Sequence, residues 1–98
     1  MITRIVVLTF EENKVQEFLS LFDEHARQIR NYPGCMELVL CKDTRIANRF
    51  YTYSVWNSEQ DLENYRQSDF FRQLWSKIKG LLKEKPLAFS LQVYKQIP

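Results

Sequence analysis

Asn48-Arg-Phe-Tyr-Thr-Tyr-Ser-Val-Trp56, followed by Asn57-Ser58-Glu-Gln-Asp61 and then by Tyr65 and Ser68-Asp69-Phe70-Phe71, is the stretch whose reading decides the fold. Aromatic and β-branched side chains dominate Arg49 to Trp56, the composition of a pleated, half-buried strand. Ser58 is placed to cap a helix, and Glu59, Asp61 and Glu63 put negative charge into its opening turns, where the helix dipole favours it. Those carboxylates are capping groups before they are acids.

Working outward, Cys35 to Lys42 forms a hairpin with this strand around the polar tip Asp43-Thr44-Arg45, with Met36, Leu38 and Leu40 on one face. Upstream, Val15, Phe18, Leu19, Phe22, Ala26 and Ile29 recur at three- and four-residue steps. They predict an amphipathic helix of about five turns that stops at Tyr32-Pro33-Gly34. Before it, Ile2 to Phe10 reads as a strand bounded by Glu11-Glu12-Asn13. Downstream, Phe70, Phe71, Leu74, Trp75, Ile78, Leu81 and Leu82 form a second helical stripe stopped by Lys85-Pro86, and Leu87 to Tyr94 is a fourth strand.

The order is βαββαβ within a single domain, residues 1–98. Two right-handed crossovers in that order give an α+β, ferredoxin-like fold: a four-stranded antiparallel sheet with its helices on one face. The first strand offers apolar residues to both sides, Ile2, Val6 and Leu8 to one and Ile5 and Val7 to the other. The side without helices therefore asks for a partner, and a second copy of the sheet meets the need by two-fold symmetry.

Composition bounds the function. At 98 residues with net charge +2, the chain is long enough for one core, burying roughly 60–70% of the surface its unfolded form exposes. Both signs of charge are spread along it, which weakens a nucleic-acid reading. Lys77, Lys79, Lys83 and Lys85 read as a solvated helix end. Cys35 and Cys41 are six residues apart, a spacing that predicts the same side of a strand and buried, unbridged thiols. The absence of a signal peptide, presequence or long apolar run leads to the expectation of a soluble cytoplasmic protein with no membrane role.

With only two glycines, Gly34 and Gly80, the chain has no GxGxxG motif or phosphate loop. One histidine and two cysteines make no zinc-ligand spacing, and no nucleophile elbow or paired carboxylates are present. An RNA-recognition domain shares the element order and wants a basic residue, glycine, then alternating aromatics on its third strand. Arg49, Tyr51 and Tyr53 fit that pattern; Phe50 in the glycine position and the first strand, which lacks a partner aromatic, do not.

The chain resembles the antibiotic biosynthesis monooxygenase domains, small dimeric α+β barrels that include quinol and anthrone oxygenases and some heme-degrading enzymes. The marks are the strand Ile2 to Thr9, the long first helix ending in Pro33-Gly34, Trp56-Asn-Ser58 opening the second helical stretch, and Tyr65 with Ser68-Asp69-Phe70-Phe71. Many members carry histidine where this chain has Tyr65. Alignment on Ser68-Asp69 puts Val6, Tyr65 and Trp75 where the heme-degrading branch has asparagine, tryptophan and histidine. An indole in the axial-ligand position argues against heme degradation.

The resemblance implies oxidation of a small electron-rich aromatic, a quinol, anthrone or polyphenol, by molecular oxygen in a homodimer. It implies no metal or resident flavin, with an externally supplied flavin still compatible. His25, bordering the first helix's apolar stripe and with an unperturbed pKa near 6.5, and Tyr65 are the candidate catalytic residues. Tyr53, Phe71 and Trp75 are candidate walls of a substrate slot, and Arg49 a candidate cation for an anionic intermediate. The competing reading is a non-catalytic dimeric binding or stress-response module of the same fold.

Overall fold

Eight residues alternating between two environments, Arg49–Trp56, form a strand at the centre of a four-stranded antiparallel sheet in the computed structural model, which describes residues 1–98. In chain order the elements are β1 (Ile2–Thr9), a single 3-10 turn (Glu12–Lys14), α1 (Val15–Arg30), β2 (Cys35–Lys42), β3 (Arg49–Trp56), α2 (Glu59–Arg66), α3 (Asp69–Lys79) and β4 (Leu87–Leu91). The sheet runs β2-β3-β1-β4. This is the ferredoxin-like α+β arrangement expected from the sequence. None of its helices is long and apolar enough to cross a membrane.

Directly paired residues in an antiparallel ladder share a face, so the register sorts the sheet. Ile2, Arg4, Val6 and Leu8 of β1 stand with Trp56, Ser54, Thr52 and Phe50 of β3 and with Ser90 and Ala88 of β4. This is the helix side. Ile5 and Val7 stand with Tyr53 and Tyr51, Phe89 and Leu87 on the opposite side.

Two packed clusters fill the helix side. Phe10 and Phe18, both fully buried, stack with ring centroids 4.1 Å apart, and Phe50 tilts against each at 6.2 and 5.8 Å. Leu8 and Leu81 complete that group. At the other end Ile2, Ile29, Cys35, Trp56, Leu62, Tyr65 and Leu74 form the second. Full burial of each large apolar side chain contributes roughly 1.5–3 kcal/mol.

Four details depart from the sequence expectation. A bulge between Cys35 and Glu37 inserts Met36 as an extra residue in β2. Cys35 then pairs with Trp56 and Cys41 with Tyr51, so the thiols lie on opposite faces, the first buried and the second exposed. Met36 is exposed instead of joining Leu38 and Leu40. The bulge reverses the alternation that a regular strand would keep.

The second helical stretch is two helices, interrupted at Gln67 and Ser68. It also ends at Lys79, well before Lys85-Pro86. Beyond Gly80 the chain turns to run beside the end of β1, with the Glu11 N–H donating to the Leu81 carbonyl at 3.0 Å and the Lys83 N–H to the Thr9 carbonyl at 2.8 Å. Leu82 bridges to Phe10. Strand β4 stops at Leu91, short of the expected Tyr94, which is fully exposed.

Candidate functional site

Helix α1 packs closely on β2 and α2 on β3, whereas α3 stands further off the sheet. Between the three helices and the sheet, with Phe18, Phe22 and Ile29 of α1 among its walls, lies a mostly apolar cavity of about 390 Å³, within the roughly 300–1,000 Å³ typical of small-molecule sites.

The corner between α2 and α3 organises its aromatic wall. The Ser68 hydroxyl donates to the Tyr65 carbonyl at 2.6 Å and accepts the Phe71 N–H at 3.1 Å. One side chain thereby closes α2 and caps α3. Tyr65, in the last turn of α2, meets Phe71, in the first turn of α3, edge to face at 5.0 Å. Phe71 and Trp75, one turn apart on α3, are nearly parallel at 6.2 Å. Tyr65 also stacks on Trp56 at 4.8 Å. The Trp56 indole N–H donates to the Ser54 hydroxyl at 2.9 Å, fixing the ring on the sheet. Tyr65, Phe71, Trp75, Trp56 and Ser54 all line the cavity, as does Thr52.

Its polar lining residues are the hydroxyl-bearing Thr52, Ser54 and Tyr65, the indoles of Trp56 and Trp75, and two arginines. Burial first, then the neighbouring Cys35 and Tyr32, push the Tyr65 phenol well above its ordinary pKa. Tyr65 is therefore a neutral hydrogen-bond donor and not a phenolate base. Its hydroxyl makes no hydrogen bond within the chain, and every fully buried side-chain N or O has a partner, so the hydroxyl keeps some accessible surface. No carboxylate or imidazole is among the lining residues, and no group of three His, Cys, Asp or Glu side chains is placed to hold a metal ion.

Three sequence-predicted residues lie elsewhere. His25 is on α1 with its ring 6.0 Å from Phe70, outside the cavity lining. The Leu21 carbonyl one turn earlier lies 2.9 Å from His25 Nδ1; a carbonyl only accepts, so that nitrogen carries the proton. The tautomer is thus set by a neighbour that the sequence reading did not identify. Tyr53 faces the opposite side of the sheet with Ile5. Arg49, at the far end of β3, donates to the Thr9 hydroxyl at 2.8 Å and pairs with Glu84 at 3.2 Å.

Two arginines that sequence reasoning passed over do reach the cavity: Arg4 of β1 and Arg66 at the end of α2. Both also line a polar recess of about 360 Å³ with Glu59, Gln60, Glu63 and Ser90. Arg4 had a readable signal. It stands in the inward-facing series Ile2, Arg4, Val6, Leu8, the one charge on an apolar face.

Against known proteins, residues 1–75 match the family model for antibiotic biosynthesis monooxygenase. An uncharacterised protein, sll1783, from Synechocystis is 28% identical over 83 residues, 85% of this chain. The chain spans about half the length of that relative, 54%. Among solved structures, an antibiotic biosynthesis monooxygenase superposes with a TM-score of 0.90 at 17% identity, over 97% of this chain and all of the other. Rv0793 from Mycobacterium tuberculosis gives 0.88 at 14%, over 99% and 98%. A variant of SnoaB, a cofactor-independent oxygenase from Streptomyces nogalater, gives 0.86 at 16%, over 99% and 96%. The structural likenesses carry the fold, and the family match covers three of the four strands and the aromatic wall up to Trp75; on that match the chain belongs to the antibiotic biosynthesis monooxygenase family.

Proposed function

We propose that the protein is a cofactor-independent monooxygenase of a small electron-rich aromatic, a quinol, anthrone or polyphenol, and that the cavity beneath α3 is its substrate site. The observation that carries this reading is the composition of the wall: Trp56, Tyr65, Phe71 and Trp75 together with Arg4 and Arg66, and no carboxylate or imidazole. Such a wall favours an ionised phenol or enol over its neutral form, because each donor strengthens as negative charge grows on the bound oxygen.

The bound anion is the reductant. It gives an electron to dioxygen, and the resulting radical pair joins through a carbon–oxygen bond as a peroxide anion, which takes a proton from solvent to become the hydroperoxide. Loss of water from the hydroperoxide leaves a new carbonyl, so one oxygen atom enters the product and the other leaves as water. The chain contributes desolvation, orientation and stabilisation of the anion. Tyr65 donates to the anionic oxygen, Trp56 and Phe71 hold the ring, and the substrate proton leaves to solvent. The cofactor-independent oxygenase among the structural neighbours supports the same chemistry.

The test is oxygen uptake with a panel of naphthoquinols and anthrones, without added flavin or metal. Turnover above the autoxidation rate is expected from the wild type. Tyr65→Phe is expected to lower kcat/KM by about ten- to a hundredfold, the weight of one hydrogen bond to a charged group. Its melting temperature should stay near wild type, since the hydroxyl has no partner in the chain. Binding of panel members without turnover would replace this reading with the non-catalytic module.

The open sheet face supports a homodimer as the working form. Leu87, Phe89 and Leu91 of β4 and Val39 of β2 are exposed there beside Ile5, Val7 and Tyr53. A contiguous apolar face of this kind calls for burial, and a second copy seated sheet to sheet provides it symmetrically. Sedimentation equilibrium should give twice the 11.9 kDa chain mass, and Phe89→Glu should shift the protein to monomer. A monomeric wild type at micromolar concentration would reject the dimer.

A further inference from the structure

We propose that Arg4 is a specificity-determining residue: the site selects aromatic ligands carrying an anionic oxygen, which Arg4 receives at the sheet end of the cavity. This rests on the reading of the cavity as a substrate site and names the class of substrate it takes.

Arg4 lies at an inward β1 position opposite Ser54 and Ser90, between Ile2 and Val6. Arg4 is partly buried there, with the Ser90 end of its guanidinium at the surface and the rest of the side chain against the cavity. The pairing within the chain is incomplete. The Arg4 guanidinium donates to the Ser90 hydroxyl at 2.9 Å, a neutral partner. The chain's ion pairs are Lys14 with Glu17, Arg49 with Glu84 and Arg66 with Glu63, so no carboxylate lies within ion-pair reach of Arg4. A guanidinium carries five N–H donors, and most of those on Arg4 have no acceptor within the chain.

The surrounding charges sharpen this. Arg66 repels Arg4 and Glu63 attracts it, but Glu63 is already held by Arg66 at 3.1 Å and by the Gln67 amide at 2.7 Å. Glu59 and Glu63 line only the polar recess, whereas Arg4 and Arg66 line both spaces. The recess is therefore balanced, two arginines against two glutamates, while the cavity sees cations alone. Burial and Arg66 together press the Arg4 pKa down. An anionic oxygen on the ligand offsets both effects and satisfies the free donors in a charge-assisted pair.

Two ligand chemistries share that feature, an aromatic carboxylate and an ionised phenol or enol. Calorimetric titration of the full chain with 2-naphthoate and its neutral isostere 2-naphthamide tests the charge, and a nitronaphthol titrated above and below its own pKa tests the phenolate. Wild type should bind naphthoate at least tenfold more tightly than naphthamide, or the ionised naphthol at least tenfold more tightly than the neutral one; the arm that shows it names the source. Arg4→Gln should abolish that preference while leaving the affinity for the neutral partner within about twofold, and Arg4→Lys should restore part of it.

Equal wild-type affinity for charged and neutral partners overturns the inference without any variant, and leaves the cavity as a substrate site intact. Parallel loss of both partners in a folded Arg4→Gln also overturns it, since that marks a structural arginine. Failure of every compound to bind wild type overturns this inference and the cavity reading together. A charge preference without oxygen uptake sustains the inference and rejects only the oxygenase chemistry.

Discussion

Replacing Trp56 by alanine is expected to cost about 3–5 kcal/mol, the usual loss for a large aromatic removed from a core. Trp56 retains 1% of its surface, and its removal acts on three contacts at once. It packs in the cluster with Ile2, Ile29, Cys35 and Leu62, it carries Tyr65 on its face at 4.8 Å, and its indole N–H serves the buried Ser54 hydroxyl. Against a total stability of roughly 5–15 kcal/mol for a domain, the loss leaves a marginal fold. Denaturant titration should show a lower midpoint with an unchanged slope. Trp56→Phe separates the terms: it keeps most of the apolar surface and removes the donor to Ser54, so it should cost about 1–3 kcal/mol. An alanine variant within 1 kcal/mol of wild type would mean that the core closes over the gap, contrary to the rigidity on which the site geometry depends.

The same residue marks how far the sequence could be read. Alternation in Arg49–Trp56 and the three- and four-residue steps of Val15 to Ile29 report local periodicity, and the strands and helices they imply are those of the fold. Ser58 was legible as a cap because the serine side chain and the Asp61 N–H it receives are three residues apart. Ser68 carried the same signature ahead of Phe71, but the βαββαβ pattern allots a single helical stretch between β3 and β4. Tyr65, Phe71 and Trp75 were legible as a group because the corner that joins them is local.

What escaped depends on pairing between distant segments. The bulge at Cys35 and Glu37 exists only relative to Trp56 and Val55, so nothing in β2 alone announces that its thiols part company. The early end of α3 follows from Leu82 meeting Phe10, 72 positions away along the chain. Tyr53 is a different case. Its parity against Trp56 already put it on the other face of β3, and the aromatic content of the strand outweighed that simpler geometric fact. Arg4 was readable as the one charge in the inward series Ile2, Arg4, Val6, Leu8, but nothing in β1 alone announces the cavity beside it.

The second large effect is expected at Gly34, and it links the first helix to the site. The turn Tyr32-Pro33-Gly34-Cys35 closes with the Cys35 N–H on the Tyr32 carbonyl at 3.0 Å, and Gly34 has φ +90°. This is a type II turn with proline and glycine in the positions that favour them. Any other L-residue carries a conformational cost of roughly 1–2 kcal/mol there. A Cβ on Gly34 would also meet the Asp61 side chain inside van der Waals contact, in the first turn of α2. Overpacking of this kind adds about 1–3 kcal/mol, so Gly34→Ala should lose about 2–4 kcal/mol in all.

The Gly34 carbonyl accepts the Asn57 N–H at 2.8 Å, so the strain reaches the start of α2, whose far end holds Tyr65 and Arg66. Affinity for aromatic ligands should fall along with stability. Gly80 is the internal control: its φ is −67° and an added Cβ would meet only ordinary contacts. Gly80→Ala is therefore expected to be stabilising by about 0.4–1 kcal/mol. A double-mutant cycle of Gly34→Ala with Asp61→Gly isolates the clash from the backbone term. Positive coupling, with the double variant recovering part of the loss and part of the ligand affinity, is the expected result. Strict additivity would assign the whole loss to the turn and would cut the proposed link between this glycine and the aromatic wall.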